Sequence, residues 1–264
     1  MKLTLRALIF CLAGLFACEE SADEALNTLG TDVDVEMREY LDGTQRSLMF
    51  KFFTTRDFSC INHRINYSVQ QEINGLAIRL QEVEEPSACM KAMGPASAFV
   101  DVGSLNVGDY DFTLHIGEAI TNTGVLTVTP ESYQLVLNGE AGMHLETVQL
   151  QRIPKDALWG TVQFPGKPNE NLANTFVNQL TKLGATQDKF DEGNYGFFEV
   201  DATGKVSPPI VAEKSSPFTF LLNYRGDESE LTALLSEINR TYGDEVAIRV
   251  HTARGSEYRS WDLH

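Results

Sequence analysis

The chain has 264 residues, of which 42% are hydrophobic and 22% charged, and this composition suits one large or two ordinary packed domains. Its formal charge of −16 gives a surface that repels nucleic acid and anionic lipid headgroups. We therefore expect no nucleic-acid partner, whereas a basic protein, a neutral glycan or a divalent cation remains compatible with the charge.

The first seventeen residues have the pattern of a removable export signal. Lys2 and Arg6 supply the positive end, residues 7–16 the apolar stretch and Ala17 the small residue at the cleavage point. The run Leu15-Phe16-Ala17-Cys18 resembles the lipobox of bacterial lipoproteins, although Phe16 is bulkier than the usual residue there. An ordinary signal peptide and a transmembrane helix are the alternatives, but the apolar run is about half the ~20 residues that span a bilayer.

The lipobox resemblance implies that residues 1–17 are a lipoprotein signal peptide and that Cys18 is the lipidation site. Its acyl chains, palmitate among them, would hold the protein in the membrane of a bacterial cell envelope. Glu19 stands where an inner-membrane retention signal has aspartate, so the resemblance favours the outer membrane. Residues 18–44 are predicted to form an acidic tether.

Four cysteines are present, and two of them remain for a disulfide bond. Cys11 leaves with the signal peptide and Cys18 takes the lipid, so Cys60 and Cys89 are predicted to pair in an oxidising envelope. Their bridge closes a loop of about thirty residues, which stabilises by ~3 kcal/mol in the chain-entropy model. A redox pair is the alternative, but no C-x-x-C spacing supports it.

Residues 45–154 alternate between apolar and polar side chains, the pattern of half-buried strands. The clearest example is 110–116, where Tyr110 and every second residue after it are apolar. Turn signals such as Asn74-Gly75 and Asn138-Gly139 separate the strands. The predicted strands are 48–52, 65–69, 76–80, 98–102, 110–116, 124–128, 133–137 and 145–153. Eight short strands without helical periodicity favour an antiparallel sandwich.

The segment 105–112 resembles the tyrosine corner of immunoglobulin-like domains. In such a corner the hydroxyl of a tyrosine, here Tyr110, bonds to nearby backbone where the chain enters a core strand. The resemblance implies an immunoglobulin-like β-sandwich for residues 45–154. Phe112 stands where antibody domains have cysteine, so Cys60–Cys89 is not the central disulfide of those domains and is expected to tie the loop 86–95 to an earlier strand.

Residues 155–264 change character and mix strands with two helices. Strands are predicted at 159–164, 195–200, 218–224 and 246–250, with a further edge at 258–261. One helix follows Asn171 and ends at Gly184, and the other begins at Asp227 and ends at Gly243. The order β-α-β-β-α-β predicts a ferredoxin-like domain, with 206–217 as the connection between its middle strands. The fold class is thus mainly β plus α+β.

The first strand and helix of this second part also resemble the opening half of SPOR domains, which bind peptidoglycan. Val162-Gln163-Phe164, Asn169, Ala173 and 180–184 carry the resemblance, whereas 220–224 lacks the matching pattern. The resemblance implies glycan binding. Aromatic side chains that would stack on sugars are Tyr195, Tyr258 and Trp261, and core or edge positions are the alternative for each.

Catalytic and cofactor motifs are missing from the sequence. It has no G-x-S-x-G, H-E-x-x-H, G-x-G-x-x-G or G-K-[ST]. His115 with Glu118 would bind a metal only with another ligand, and the acidic residues of 188–193 lack the spacing of a calcium loop. We therefore predict no catalytic residues, no metal site and no cofactor.

The sequence leaves three hypotheses of function. The first is a non-catalytic, membrane-anchored envelope lipoprotein that docks onto another envelope protein, for instance through an exposed sheet edge. The second is a lipoprotein that binds peptidoglycan or another glycan. The third is a hydrolase that uses carboxylates, for which the sequence nominates no pair of residues.

Overall fold

The computed structural model describes residue 29 and residues 32–43, 45–167, 169–208 and 217–263. Within these ranges the chain is mostly β and has two α-helices. Neither of these helices has the length and apolar character needed to cross a membrane.

The first part of the chain forms one mixed sheet of ten strands. Its strands are β1 (Val33–Asp42), β2 (Gln45–Phe58), β3 (Arg64–Glu72), β4 (Gly75–Glu84), β5 (Gly94–Asp101), β6 (Gly108–Ile116), β7 (Ile120–Val128), β8 (Ser132–Leu137), β9 (Met143–Leu145) and β10 (Gln149–Gln151). Their spatial order is β10-β8-β7-β6-β4-β3-β5-β2-β1-β9. Most of the strands lie where alternation predicted them, because the two-residue period of side chains is a local property of the sequence.

The strand β1 corrects the predicted tether. Residues 33–42 are a full strand that pairs with β2 over its whole length and with β9 at its beginning. Val33, Val35 and Met37 are buried on its inner face. The acidic side chains that alternate with them face outward and account for the tether prediction, so the description as a tether fails for residues 33–42.

The prediction of an immunoglobulin-like sandwich is wrong. The strands belong to a single sheet that curls into a half-barrel, and three of its neighbouring pairs, β1–β9, β3–β5 and β4–β6, are parallel. The two edge strands, β9 and β10, follow each other in the chain with only three residues between them. Alternation shows which face of a strand is buried, but it specifies neither the neighbouring strand nor its direction.

The tyrosine corner itself is present in this different architecture. The Tyr110 hydroxyl donates to the Asn106 carbonyl oxygen at 3.1 Å, as predicted from 105–112. The Tyr195 hydroxyl makes the same four-residue bond to the carbonyl oxygen of Asp191, at 3.0 Å. The corner is therefore a local device that fixes the entry to a strand, and it does not determine the fold around it.

The second part has a four-stranded antiparallel sheet with two helices. Its elements are β11 (Ala157–Gln163), α1 (Glu170–Lys182), β15 (Phe218–Asn223), α2 (Glu228–Tyr242), β16 (Ala247–Thr252) and β17 (Glu257–Arg259), in the strand order β15-β11-β16-β17. Between α1 and β15 lies a separate small sheet of β12 (Gly193–Asn194), β13 (Glu199–Val200) and β14 (Val206–Ser207). The ferredoxin-like prediction is therefore wrong, since the predicted strand 195–200 does not join the larger sheet.

A glycine turn explains why 195–200 leaves the larger sheet. Gly196 has a φ of +78°, a conformation that L side chains rarely adopt, so the chain reverses between β12 and β13. Tyr195 and Phe198 then stack with their ring centroids 4.8 Å apart. Both rings are buried in one apolar cluster with Trp159 from β11. The apolar side chains of 195–200 are therefore buried, but they cover one face of the four-stranded sheet and do not add a strand to it.

Both predicted helices are confirmed, with small shifts at their ends. The first begins two residues earlier than predicted, and Asn169 caps it by accepting from the backbone N–H of Leu172 at 3.1 Å. The second is capped by Asp227, which accepts from the N–H of Ser229 at 2.9 Å, and Gly243 follows its last residue. Glu230 has the spacing from Asp227 that predicts a capping box, but its carboxylate accepts from the Tyr224 hydroxyl at 3.3 Å instead.

The two parts of the chain are packed against each other. Leu41 from β1 and Ile153 from the connecting segment lie in the same apolar cluster as Trp159. The turn between β16 and β17 touches the end of β1, where Gly255 comes so close to the Leu41 carbonyl oxygen that an added Cβ would be 2.1 Å from it. This contact holds the four-stranded sheet at a fixed place beside the half-barrel.

Candidate functional site

The ten-stranded sheet is interrupted on one side of β3. This strand pairs with β4 along its length, but with β5 only at Arg64, opposite Ser97. Beyond that pair the Tyr67 hydroxyl reaches across to the carbonyl oxygen of Phe99 in β5, at 3.1 Å. The stretch 66–72 of β3 is therefore a strand edge inside the sheet, and we call it the β3 edge.

A bulge accounts for the departure of β3 from β5. The register with β4 shifts between Ile65 and Tyr67, since Ile65 is opposite Val83 and Tyr67 is opposite Leu80. A bulge bends its strand and increases the local twist. The bend begins one residue after the last pair with β5, so β3 turns away from that neighbour at the same place.

The inner face of the sheet is uncovered at the β3 edge. Tyr67 and Val69 are opposite Leu80 and Ile78, which are completely buried, so all four side chains lie on the face that forms the core. Tyr67 is nevertheless 43% exposed and Val69 37% exposed. Each has a buried partner on β4, and among the strands that the structure describes none pairs with it on its other side. An added strand would cover both side chains and extend the core.

The β3 edge lacks the usual protection of natural strand edges. Proteins normally shield an exposed edge with charged residues, proline or a very short strand. The sequence from Asn66 to Gln71 has no charge and no proline, and all of it lies in one continuous strand. The two strands that end the sheet, β9 and β10, have only three residues each. The β3 edge is thus longer than the two end strands of this sheet, and it carries no charge from Asn66 to Gln71.

Cys60 and Cys89 form the predicted disulfide bond. Their Cα atoms are 5.3 Å apart, and the bond joins the segment after β2 to the loop between β4 and β5. Asn62 strengthens the same connection, since its side chain donates to Ala88 O at 2.8 Å and accepts from Met90 N at 3.0 Å. Cys18, the predicted lipidation site, lies outside the described residues.

The histidines occupy separate structural positions. His115 places Nδ1 3.0 Å from the Thr121 hydroxyl, and burial followed by the charge of Arg79 lowers its pKa. His63 is buried with Nδ1 2.6 Å from the carbonyl oxygen of Cys60. Across the described ranges no three His, Cys, Asp or Glu side chains are placed to hold a metal ion, so His115 and Glu118 gain no third ligand there.

The three aromatic residues nominated for sugar stacking do not share an exposed surface. Tyr195 is buried, and the Tyr258 hydroxyl donates to the carboxylate of Glu228. Trp261 is 40% exposed, and the guanidinium of Arg249 lies 5.9 Å from its ring centroid. One exposed ring next to a cation does not make a stacking platform for a glycan.

Two carboxylates hold polar networks together. Glu39 is completely buried and accepts from Arg152 Nε at 3.1 Å, Arg46 Nη1 at 3.4 Å, the Tyr133 hydroxyl at 3.3 Å and the Ile153 backbone N–H at 2.9 Å. Burial, with the nearby Glu39 carboxylate, raises the pKa of Tyr133 to about 12. The network joins β1 to β8 and to the segment that leaves the half-barrel.

Glu228, at the beginning of α2, has a similar role in the second part. It accepts from the hydroxyls of Thr252 at 3.2 Å, Ser256 at 2.9 Å and Tyr258. Both Glu228 and Glu39 have their oxygens occupied by fixed donors. These two carboxylates therefore act in structure, and neither supports the hypothesis of a hydrolase.

Comparison with protein families, with curated proteins and with solved structures found no match for this chain. The function must therefore be argued from the geometry of the chain itself. The sequence predicted an exposed sheet edge in general terms but did not locate it. A signal was present, since 66–71 is an uncharged strand sequence without proline.

Proposed function

We propose that this protein is a non-catalytic, membrane-anchored lipoprotein of the bacterial envelope that docks onto another envelope protein. The β3 edge receives an extended segment of that partner as an added strand. The observation that carries the proposal is the exposure of Tyr67 and Val69 on the core face, beside completely buried partners on β4. The anchor at Cys18 is proposed from the lipobox resemblance alone.

Strand addition explains two features of the edge, and the charge of the chain indicates the kind of partner. Backbone N–H and C=O groups on the unpaired side of a strand are available to a new neighbour. The apolar side chains of the added segment would cover Tyr67 and Val69 at every second position. The protein has a formal charge of −16, which favours a partner with a basic segment.

A charge placed on the β3 edge tests the docking proposal. We expect Val69→Lys in the full-length, tagged chain to lose the partner that the native chain recovers after in-cell crosslinking and mass spectrometry, because the new charge would be buried by the added strand. Val125→Lys is the matched control. Val125 is 42% exposed and lies on β7, which is paired on both sides, so this variant should retain the partner.

Two results would contradict the docking proposal. One is equal recovery of the partner by Val69→Lys and the native chain. The other is retention of the native chain on purified sacculi with no protein partner, which would favour the glycan hypothesis instead. Loss of the partner by Val69→Lys supports docking only if this variant has the same circular dichroism spectrum and melting temperature as Val125→Lys.

The anchor has its own test. We expect the native chain to incorporate a clickable palmitate analogue and to fractionate with membranes, and we expect Cys18→Ser to do neither. Cys60→Ser is the control for loss of an unrelated cysteine. Labelling of Cys18→Ser at the native level would contradict lipidation at this residue.

A further inference from the structure

A cleft of about 290 Å³ lies between the half-barrel and the second part of the chain. Its half-barrel side is formed by Arg38 and Lys51, from the outer faces of β1 and β2. Trp159, Phe197 and His251 form the opposite side. The volume is at the lower end of the ~300–1,000 Å³ that small-ligand sites occupy.

Arg38 is the cation of the cleft that lacks a counter-charge. Among the described residues it forms no ion pair, and its buried Nε has no hydrogen-bond partner. Its guanidinium carbon lies 4.8 Å from the ring centroid of Phe197. Burial lowers the pKa of Arg38, and this effect is larger than the increase caused by the negative charge of Glu36. A buried donor without an acceptor costs free energy that a bound acceptor would return.

The other charged side chains that line the cleft already have ion-pair partners. Lys51 Nζ lies 3.7 Å from Glu36 Oε2. Glu257 pairs with Arg259 at 2.6 Å and with Arg249 at 3.3 Å. Glu39 also lines the cleft, and it pairs with Arg46 and Arg152. Among the described residues that line the cleft, Arg38 is therefore the charged side chain without an ion-pair partner.

The far side of the cleft is aromatic. The rings of Trp159 and His251 stack with centroids 5.5 Å apart and planes 13° apart, and the Phe197 ring lies 5.5 Å from Trp159 with its plane tilted by 53°. Burial is the main cause that lowers the pKa of His251, so its imidazole is neutral near pH 7. Such a wall suits a planar apolar group.

We propose that this cleft binds a small organic monocarboxylate whose planar apolar group rests against Trp159 and Phe197 and whose carboxylate pairs with Arg38. A guanidinium matches a carboxylate with two parallel hydrogen bonds. One unmatched positive charge fits a monoanion better than a phosphate, which carries nearly two negative charges at pH 7. This site is separate from the β3 edge, so it stands whether or not docking occurs.

The test uses 3-phenylpropionate as the probe and 3-phenylpropionamide as its uncharged counterpart. The protein has two tryptophans, and Trp261→Phe in the full chain leaves Trp159 as the sole indole reporter. Titration of this variant, followed by tryptophan fluorescence and checked by calorimetry on the native chain, gives both affinities. We expect the acid to bind at least about tenfold more tightly than the amide, because the bond to a charged group is lost.

Variants assign the effect to Arg38. We expect Arg38→Met to weaken binding of the acid at least about tenfold and to leave binding of the amide unchanged. Arg56→Met is the matched control, because Arg56 also lies over an aromatic ring, 5.2 Å from the centroid of Phe58, but outside the cleft. Equal affinity of the native chain for acid and amide would overturn the proposal, and so would undetectable binding of the acid at millimolar concentration. The comparison of acid with amide needs no folded variant of Arg38.

Discussion

Replacement of Glu39 by glutamine tests whether the buried carboxylate joins the half-barrel to the connecting segment. Glutamine keeps the shape of the side chain but removes the negative charge, which leaves Arg46 and Arg152 without their counter-ion. Its amide NH2 also replaces one of the two acceptor oxygens, so it faces either the N–H of Ile153 or the hydroxyl of Tyr133, each of which donates to a different oxygen of Glu39.

The size of the loss follows from the burial of the network. Removal of one partner from a buried ion pair costs about 3–5 kcal/mol. The side chains of Arg46 and Arg152 are 18% and 21% exposed, so water hydrates them in part and the cost falls at the lower end of that range. We expect Glu39→Gln to lower the free energy of unfolding by about 3 kcal/mol. For a chain of this length, that corresponds to a melting temperature lower by about 6–12 °C.

Urea unfolding at pH 7, followed by far-ultraviolet circular dichroism, measures this change through the midpoint and slope of the transition. Glu118→Gln is the control, because Glu118 is exposed in the turn after β6 and its replacement should change stability by less than about 0.5 kcal/mol. A loss below about 1 kcal/mol for Glu39→Gln would refute the reasoning, since it would mean that the arginines do not depend on the carboxylate.

Three further predictions concern stability. Gly255→Ala should destabilise by more than Gly204→Ala in urea unfolding, because both glycines have φ values above +80° and each costs about 1–2 kcal/mol in a left-handed conformation, but only Gly255 also places a Cβ against backbone. Equal losses would contradict the described contact between the two parts. Since burial lowers the pKa of His251, the unfolded chain takes up a proton that the folded chain refuses, and stability falls as pH drops below about 6.5. His251→Phe should flatten that fall in a series of urea titrations, and an unchanged slope would refute the assignment. Joint replacement of Cys60 and Cys89 by serine should lower the free energy of unfolding by ~3 kcal/mol, and a thermal melt with and without reductant checks that the native chain shows the same loss.

The positions of strands and helices were predictable because they depend on local periodicity. The helices also carried their own boundary signals, such as Asp227 before α2 and Gly243 after it. The arrangement of the strands was not predictable in this way, because parallel pairing of β4 with β6 depends on contacts between residues far apart in the sequence. The strand β1 was missed because few large apolar residues precede Tyr40 and acidic side chains alternate with them.

For the candidate sites too, the sequence predicts local features, such as the face of a strand, but not contacts between residues far apart in the chain. Alternation placed Tyr67 and Val69 on the buried face of a strand, and the structure confirms the face. Their exposure arises because no strand in the described part of the chain pairs with β3 at these positions, and a single strand sequence does not encode its neighbours. The cleft at Arg38 lies between two parts of the chain, so its partners across the cleft are more than 100 residues away.

The pairing of β1 with β9 constrains when this protein can fold. Val33 lies beside Met143, so the first strand of the sheet has no complete set of neighbours until more than half of the chain has been made. At synthesis rates of about 5–20 residues per second, that wait lasts on the order of 5–20 s, during which β1 and β2 exist without the segment that joins the two ends of the sheet. Pairings between such distant segments are intrinsically slow to form.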